Sequence, residues 1–382
     1  MTAPVLLTAG GTGGHMFPAE ALARELLARG QSVALVTDIR GKAFGDTLPA
    51  VPVYRVHAAT LFPGLIGKLR TLGLIVLGTI EARRVIREVK PLAVVGFGGY
   101  PSLPAVIAAR LAGVPLVLHE QNAVLGRANR LMVRGAAKLA VSFPAVSGVP
   151  EGCRDNVVQT GNPVRSGVAA ARDAFYTAPN GSGPIRLLVM GGSQGARVFS
   201  EVVPAALAQV SAPLRERLVI AQQCRPEDLD GVRAAYEGLG VGGVELSSFF
   251  TDVPARLAAA HLVICRAGAS TMAELTAVGR PGILVPYPFA TDDHQTANAR
   301  SLAQAGGAWL MAQPDFTPAA LAARLEALLA QPGDLSLAAA VSRGWCVVDA
   351  AARLAETVIE VAHACSGGCA CAHPLNALEA AE

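Results

Sequence analysis

Residues 5–15 read VLLTAGGTGGH, an apolar run followed by four glycines, a threonine and a histidine. A short run of valine and leucine that ends in glycine is typical of a buried parallel strand that turns directly into a helix. Residues 18–29 carry apolar side chains at helical spacing. The stretch therefore predicts a strand, a tight loop and a helix, the unit from which α/β folds with parallel sheets are built.

The same unit returns in the second half, where IRLLVM at 185–190 precedes GGSQGA at 191–196 and a predicted helix. Further strands are predicted at 32–37, 92–96, 116–119 and 138–142, and then at 217–221, 244–248, 261–265, 282–286 and 308–312. We predict two doubly wound domains of similar plan. The first comprises residues 1–161 and a returning helix at about 344–363, the second comprises 162–343, and a disordered tail follows at 364–382.

Composition excludes several classes of protein. The chain has 382 residues, which suits two domains of about 150 residues each. A net charge of +3 is too small to indicate a nucleic-acid partner. No signal peptide is expected, and the longest apolar run, 72–80, falls short of the ~20 residues that span a bilayer. Seven cysteines, an odd number, favour a reducing cytoplasm.

Both glycine loops differ from the standard nucleotide motifs. Neither completes Gly-x-Gly-x-x-Gly, and neither carries the lysine of a P-loop. Glycines nevertheless let backbone N–H groups approach an anion, and the start of the following helix adds partial positive charge. Each loop is therefore a candidate phosphate site, the alternative being a tight turn without a ligand. Two such loops at equivalent places favour the ligand.

His15 ends the first glycine loop. Since no predicted helix or strand face holds it, we expect it to be exposed in the cleft between the domains. An imidazole titrates near neutral pH, which suits a general base. The alternative is that it donates a hydrogen bond to a phosphate.

Polar clusters follow other predicted strands of the first half. GFGGYPS at 96–102 and HEQN at 119–122 should line the same sheet edge as the first glycine loop. For HEQN, the alternative to a functional role is a helix N-cap by Asn122 together with a buried hydrogen-bond network.

The second half carries CRAGAST at 265–271 and TDDHQTANA at 291–299. Glu274 could cap a helix or accept both hydroxyls of a ribose. His294, Gln295 and Asn298 can share one helical face and bind sugar hydroxyls. The acidic pair at 292–293 precedes a helix, so we predict capping there and no catalytic metal.

Residues 61–90 read LFPGLIGKLRTLGLIVLGTIEARRVIREVK. Residues 72–80 are apolar on nearly all sides, whereas a helix of a soluble domain needs one apolar stripe. Flanking lysines and arginines would lie near anionic lipid heads, which predicts contact with a membrane surface. The alternative is a fully buried helix.

The end of the chain carries HACSGGCACAH at 363–373. Three cysteines and two histidines could form a tetrahedral zinc site. Such sites usually gather ligand pairs from separated segments, and a disordered tail is the default expectation.

Taken together, the motifs resemble those of the MurG family of peptidoglycan N-acetylglucosaminyltransferases. They occur in order over about residues 3–363 as GGTGGHMFP, GGYPS, HEQN, TGNPVR, GGSQGA, CRAGASTMAE and HQTANA. The resemblance implies a GT-B fold, with two Rossmann-like domains facing each other across a cleft. It also implies inverting transfer of N-acetylglucosamine (GlcNAc) from UDP-GlcNAc to the 4-hydroxyl of the N-acetylmuramyl unit (MurNAc) of a lipid-linked acceptor, lipid I. No metal or cofactor is implied.

For the donor, the resemblance implies that Ser193 and Gln194 meet the diphosphate, with Arg165 nearby. The backbone of Phe250 would meet the uracil edge, and Arg266 would flank the base.

The remaining donor roles concern sugars. By the same resemblance, Glu274 holds the ribose, and Gln295 and Asn298 bind the hydroxyls of the transferred sugar. Some family members have another polar residue at the position of His294, so that contact differs among them. Asn122 would reach the transferred sugar or the acceptor.

For the acceptor, the resemblance implies a pyrophosphate cradle. His15 is then the candidate base for the acceptor hydroxyl, and Glu120 is the second candidate. The cradle comprises Thr12, Gly13, Gly14, Gly98, Gly99 and Tyr100.

The expected partners are UDP-GlcNAc, lipid I, the anionic surface of the inner membrane on its cytoplasmic side, and proteins of cell division or cell-wall synthesis. Two enzyme alternatives share the fold: a UDP-GlcNAc 2-epimerase and another glycolipid glycosyltransferase. A third alternative is a non-catalytic binder of sugar nucleotides.

Overall fold

The computed structural model describes residues 3–10, 13–39, 48–58, 64–192 and 196–366. Within these ranges the chain forms two parallel β-sheets with helices on both faces. The strands of the first sheet are β1 (Val5–Thr8), β2 (Val33–Asp38), β3 (Val53–Val56), β4 (Ala93–Gly96), β5 (Leu116–Glu120), β6 (Lys138–Val141) and β7 (Val157–Gln159). Those of the second are β8 (Ile185–Met190), β9 (Leu218–Gln223), β10 (Gly243–Ser247), β11 (Leu262–Cys265), β12 (Gly282–Leu284) and β13 (Ala308–Leu310).

The helices follow the strands in alternation. In the first half they are α1 (Gly13–Ala28), α2 (Gly64–Val89), α3 (Leu103–Leu111) and α4 (Arg127–Met132). In the second half they are α5 (Ser166–Ala171), α6 (Arg197–Leu207), α7 (Ala212–Arg215), α8 (Leu229–Tyr236), α9 (Val253–Ala259), α10 (Ala269–Val278), α11 (His294–Gln304), α12 (Pro318–Leu329), α13 (Pro332–Trp345) and α14 (Ala350–Ser366).

The strand order is what places the functional loops. The first sheet runs β3-β2-β1-β4-β5-β6-β7 and the second runs β10-β9-β8-β11-β12-β13. In each sheet the order reverses beside the first strand, between β1 and β4 and between β8 and β11. Ligands of doubly wound sheets bind at the carboxyl ends of the strands at this reversal. The described residues of both glycine loops and the CRAGAST segment follow strands at these points, and the predicted doubly wound fold is confirmed.

Two strands were absent from the prediction, β3 and β7. Both lie at the edges of the first sheet, and most of their side chains are partly exposed. β3 reads VYRV and β7 reads VVQ, so neither carries the unbroken apolar run that is typical of a strand buried on both faces. β7 is also only three residues long.

The last helix returns to the first sheet. α14 packs against α1 and across β4, β5 and β6, with Leu354, Ala355 and Val358 fully buried. It begins at Ala350, later than the predicted 344, because residues 344–345 still belong to α13 of the second half. The cysteine-rich stretch beyond residue 366 lies outside the described residues.

Among the described residues one stretch, Pro332–Ala364, is long and apolar enough to cross a membrane, with a mean hydropathy of 1.3. It is not one continuous helix, since α13 ends at Trp345 and α14 starts at Ala350. Leu335 of α13 lies in the core of the second half and Leu354 of α14 in that of the first. Core helices of soluble proteins pass the same test of length and composition.

The close contact between α2 and His57, which follows β3, predicts an effect on stability. A Cβ atom at Gly78 would overlap the carbonyl oxygen of His57, whereas one at Gly73 in the same helix meets no described atom within 4 Å. We expect Gly78→Ala to lower the free energy of unfolding by about 1–3 kcal/mol, the usual cost of overpacking. Gly73→Ala should raise it by up to about 1 kcal/mol through helix propensity.

Urea unfolding followed by circular dichroism measures both variants against the parent chain. Equal effects of the two substitutions would contradict this packing account.

Candidate active site

The two acceptor-side loops touch each other. Gly10 follows β1, and a Cβ atom there would lie 2.5 Å from Cβ of Pro101, which follows β4. Only glycine allows this approach. Gly98 and Gly99 have φ angles of 82° and 75°, a left-handed conformation that favours glycine. The hydroxyl of Ser102 donates to the carbonyl oxygens of both, and this fixes the turn.

His15 lies in the first turn of α1 rather than in a loop. The expectation that His15 is exposed was wrong. The helix begins at Gly13 and directs the side chain of His15 against Gln121 and Gly99. The ring is half-buried, and its Nε2 atom lies beside Gly99, where an added Cβ atom would approach to 3.2 Å. The candidate base and the turn that carries Gly98 and Gly99 thus adjoin each other at the start of a helix.

A chain of hydrogen bonds runs inward from His15. Its Nδ1 atom lies 2.9 Å from Oε1 of Gln121. Nε2 of Gln121 lies 2.9 Å from both Nδ1 and the carbonyl oxygen of His119. Nε2 of His119 lies 3.0 Å from the carbonyl oxygen of Gly161. Gln121 and His119 are both almost completely buried, so water does not compete for these bonds.

Burial lowers the pKa of both histidines. It lowers that of His119 to about 4, despite the bond to Gly161. It also lowers the pKa of His15, and the bond to Gln121, the charge of Glu120 and the carbonyl of Phe97 oppose this only in part. Both rings are therefore neutral near neutral pH. A neutral imidazole is the form that can accept a proton.

Glu120 is committed to the loop that follows β5. Its Oε1 accepts from the backbone and side-chain nitrogens of Asn122, at 3.0 and 3.2 Å. Its Oε2 accepts from the backbone of Gly126 and from Asn129, at 2.8 and 2.9 Å. The buried network that was the alternative for HEQN is therefore present. The proposed N-cap by Asn122 is not, since α4 starts at Arg127 after Gly126.

A single buried amide joins the two halves. Oδ1 of Asn298 accepts from the backbone of Ala123 at 2.8 Å, and its Nδ2 donates to Oδ1 of Asn122 and to the carbonyl of Ala267, at 3.1 and 3.0 Å. Asn298 has no exposed surface. Both of its donor hydrogens serve the protein in this structure, and its predicted contact with sugar hydroxyls stays a prediction.

An ion pair on the surface adds to this junction. Arg127 donates to Asp292 at 2.7 and 3.2 Å. Asp293 occupies the N-cap position of α11 without a side-chain capping bond. The predicted capping role for residues 292–293 was wrong, since a left-handed backbone at both positions turns Asp292 toward the first half. Among the described residues no cluster of three or more His, Cys, Asp or Glu could hold a metal ion.

Arg165 connects the start of α1 with the donor half. Its guanidinium donates to Oε1 of Glu274 at 2.7 and 3.0 Å and lies 4.8 Å from the ring centre of Phe17. Glu274 lies in the middle of α10, so the capping alternative for it was wrong. Burial raises the pKa of Glu274, and Arg165 opposes the rise.

Two further residues predicted to bind the donor, Arg266 and Phe250, make their contacts within the second half. Arg266 is buried and donates to the carbonyls of Val285 and Pro286 and to Gln313. Phe250 is also buried, with Arg256 above its ring at 4.0 Å.

Two more predicted residues begin α11. Oε1 of Gln295 accepts from the backbone of Tyr287 at 3.0 Å. Nδ1 of His294 lies 2.7 Å from the carbonyl of Thr291. On the acceptor side, Gly14 lies in the first turn of α1 and Tyr100 begins a short 3-10 helix. Three predicted residues lie outside the described ranges: Thr12, Ser193 and Gln194.

Gln121, Asn129, Arg127 and Phe17 are site residues to which no role was assigned. Gln121 stood inside the HEQN motif, but its partner His15 is 106 positions away. Asn129 and Arg127 carry no local signal, because their partners come from other elements.

The buried histidine predicts a pH effect. Its pKa of about 4 in the folded chain lies below the ordinary value of 6.5. The unfolded chain therefore binds more protons between these values, so the stabilisation due to neutral His119 is complete above pH 6.5 and is lost as the pH falls toward 4. A chemical-shift titration of the His119 ring should give a midpoint near 4 in the native chain and near 6.5 in urea. A native midpoint near 6.5 would contradict the assignment of a buried neutral ring.

The chain matches known proteins over nearly its whole length. The glycosyltransferase family 28 N-terminal domain matches residues 5–141, and the family 28 C-terminal domain matches residues 186–354. A relative from Rhodospirillum centenum is 58% identical over 94% of this chain and 95% of its own length. One from Paramagnetospirillum magneticum is 55% identical over 93% and 96%. Both are named UDP-N-acetylglucosamine--N-acetylmuramyl-(pentapeptide) pyrophosphoryl-undecaprenol N-acetylglucosamine transferase.

Solved structures agree. The crystal structure of Acinetobacter baumannii MurG has a TM-score of 0.76 and 30% identity, over 93% of this chain and 99% of that one. CalG4, the calicheamicin glycosyltransferase, has a TM-score of 0.66 at 16% identity, over 94% and 98%, and shares the fold. The predicted GT-B architecture is thereby confirmed. By its sequence, its fold and the position of its glycine loops, this chain belongs to the MurG family of glycosyltransferases.

Proposed function

We propose that the chain transfers GlcNAc from UDP-GlcNAc to the 4-hydroxyl of MurNAc in undecaprenyl-pyrophosphoryl-MurNAc-pentapeptide, which converts lipid I to lipid II in peptidoglycan synthesis. The names of the full-length relatives support this reaction. One observation in the structure carries it furthest: a neutral histidine stands at a helix N-terminus beside a glycine loop, and the adjoining HEQN loop is joined to the donor half by Asn298.

The acceptor pyrophosphate would bind at the start of α1. The N–H groups of the first helical turn have no partners within the helix, and the helix dipole adds positive charge there. Gly13 and Gly14 carry no side chains at this end, and Gly99 of the other loop lies beside His15 in the same helical turn. Thr12 and Tyr100 would complete the cradle.

His15 would be the base that takes the proton of the acceptor hydroxyl. Its neutral ring suits this role, and Glu120 suits it less, because both of its oxygens already accept hydrogen bonds from the loop. As the bond to GlcNAc forms, the bond between its anomeric carbon and the UDP oxygen breaks. Attack from the opposite side inverts the anomeric centre.

The donor would bind across the second sheet. Ser193, Gln194 and Arg165 would bind the diphosphate, where negative charge develops as UDP leaves. Oriented N–H groups, helix N-termini and an arginine can stabilise that charge, so we propose that transfer needs no metal or other cofactor. Arg165 uses Oε1 of Glu274, which leaves Oε2 for the ribose hydroxyls.

Further donor contacts would come from the rim of the cleft. The backbone of Phe250 would meet the uracil, and Arg266 would flank it. Gln295, His294 and Asn122 would meet the transferred sugar. Asn298 would act indirectly, because its side chain donates a hydrogen bond to Asn122 and holds it in place.

The alternatives are less favoured. A 2-epimerase would act on UDP-GlcNAc alone, and a non-catalytic binder would release no UDP. The named relatives are transferases, which favours transfer over both alternatives.

UDP release from UDP-GlcNAc, measured with and without a short-chain lipid I analogue, tests the reaction. We expect release only with the analogue, together with a disaccharide product. His15→Ala should lower the rate by about 10²–10⁴-fold, the usual contribution of a general base.

His363→Ala, at an exposed position in α14, is the matched control and should leave the rate unchanged. Release of UDP without the acceptor would contradict the transferase, and full activity of His15→Ala would contradict its role as base.

The acceptor is a lipid, and α2 offers a surface for its membrane. Thr71, Ala82 and Ile86 face the core. The opposite side exposes an apolar stripe, so the alternative of a fully buried helix was wrong. The stripe comprises Ile66, Leu69, Leu72, Val76, Leu77 and Ile80, which are 42–84% exposed.

Basic residues flank this stripe in the sequence: Lys68, Arg70, Arg83, Arg84, Arg87 and Lys90. We propose that α2 binds the anionic cytoplasmic surface of the cell membrane as a peripheral anchor. Partners among proteins of cell division or cell-wall synthesis remain a prediction.

Binding to vesicles tests this surface. Vesicles containing anionic lipid should bind the chain, and added salt should weaken the binding because it screens the basic residues. Leu72→Asp should reduce binding, whereas Leu337→Asp, 65% exposed on α13, serves as the control and should not. Equal binding of both variants would contradict the assignment to α2.

A further inference from the structure

The hydrogen-bond chain from His15 to Gly161 has a fixed direction, because a backbone carbonyl stands at each of two points along it. A carbonyl oxygen only accepts hydrogen bonds. The group that faces it must therefore donate. This constraint determines where the hydrogens of three side chains lie, without any assumption about the reaction.

The first constraint is the carbonyl oxygen of Gly161. Nε2 of His119 lies 3.0 Å from it and must carry a hydrogen. Because burial keeps this ring neutral, its single hydrogen is then used, and its Nδ1 atom can only accept. Nε2 of Gln121 lies 2.9 Å from that Nδ1 atom and supplies the donor.

The second constraint is the carbonyl oxygen of His119. It lies 2.9 Å from the same amide nitrogen of Gln121, which has two hydrogens and uses one on each partner. A flipped amide would place its oxygen against this carbonyl and against the lone pair of the His119 ring. The amide therefore has one orientation, with Oε1 toward His15.

The consequence falls on His15. Oε1 of Gln121 is an acceptor, so Nδ1 of His15, 2.9 Å away, must carry the hydrogen. A neutral imidazole has only one hydrogen, and among the described hydrogen bonds of His15 none joins its Nε2 atom to the nearby carbonyl oxygen of Phe97, so the lone pair stays on Nε2. Nε2 is the atom that lies beside Gly99, on the side of the glycine loops.

We propose that Gln121 is a positioning residue that holds His15 in the Nδ1–H tautomer, and that Gly161 and His119 impose this choice through it. The inference rests on the proposed function insofar as His15 is the base. A histidine with its hydrogen on Nε2 could not accept a proton from a hydroxyl bound beside the glycine loops.

The ring is surrounded by few charges. Glu120 of β5 favours its charged form, and His294 of α11 disfavours it when protonated. The amide of Gln121 and the carbonyl of Phe97 favour the charged form, yet burial outweighs them. Gln121 is uncharged, so it selects a tautomer without fixing a positive charge on His15, as a carboxylate in its place would.

The tautomer is measurable in the unmodified chain. Nitrogen-15 NMR of labelled histidine rings, above neutral pH, should show His15 with its hydrogen on Nδ1 and His119 with its hydrogen on Nε2. His15→Ala assigns the signal. A wild-type His15 with its hydrogen on Nε2 overturns the proposal, whatever the activity of the enzyme.

Two variants test the role in transfer. Gln121→Met removes both hydrogen-bonding groups, so we expect His15 to lose its preference for one tautomer. The value of kcat should fall by at least ~10-fold, but by no more than the ~10²–10⁴-fold expected for loss of the base itself. KM for UDP-GlcNAc should not change. Gln121→Glu keeps an acceptor toward Nδ1 but sets its second oxygen against the carbonyl of His119, and its negative charge should move the acidic limb of the pH profile to higher pH.

Ser142→Ala is the matched control. Ser142 follows β6, and its substitution removes a buried hydrogen bond to the carbonyl of Glu120 without touching His15. It should leave the tautomer and kcat unchanged. Gln121→Met with an unchanged kcat overturns the positioning role, and so does a Gln121→Glu profile that matches that of the wild type.

The experiments distinguish failure of the proposed reaction from failure of the proposed tautomer. A wild-type chain without acceptor-dependent UDP release contradicts the reaction, while the NMR spectrum still decides the tautomer.

Discussion

The amide of Asn298 is the contact on which the geometry of the site depends. It lies fully buried between the halves and makes three hydrogen bonds, two of them to consecutive residues that follow HEQ at the end of β5. Loss of these bonds would leave the N–H of Ala123 buried without a partner, which typically costs about 1–3 kcal/mol. The loop that carries the histidine network is thus held in register with the donor half.

Asn298 is one of three polar side chains that fix the junction between the two halves, together with Glu120 and Arg165. Glu120 ties the loop after β5 to itself through four hydrogen bonds, and Asn298 ties that loop to the second sheet. Arg165 then connects Glu274 with Phe17, two residues after His15. In each half, a loop or helix end that contains predicted site residues is therefore held in place by a contact with the other half. A cleft built in this way can position two phosphate-containing substrates against each other.

The chemistry follows from burial as much as from residue type. His15 stands where a helix N-terminus disfavours a positive charge and where the surrounding packing desolvates part of its ring. Its neutral form is therefore maintained at the site where the negative pyrophosphate of the acceptor would bind. Proton transfer to this ring would create a positive charge beside that pyrophosphate, which the anion would stabilise.

The sequence predicted most of the fold and the neighbourhood of the site, for physical reasons that also explain the failures. Buried parallel strands such as β1 and β8 are apolar on both faces and were recognised, whereas the exposed edge strands β3 and β7 were not. Glycine loops identified the sheet edges because phosphate binding and tight turns need glycine. The exposure of His15, the duties of Asn298 and the ion pair of Asp292 depended on partners more than 100 positions away. No local pattern encodes such pairs.

A crystal structure of the chain with UDP-GlcNAc and a lipid I analogue tests the central claim most directly. The account predicts that the acceptor hydroxyl lies about 2.6–3.2 Å from Nε2 of His15, on the face of the sugar opposite UDP. It also predicts that the acceptor pyrophosphate lies at the start of α1. A hydroxyl placed at Glu120, or a pyrophosphate bound away from α1, would contradict it.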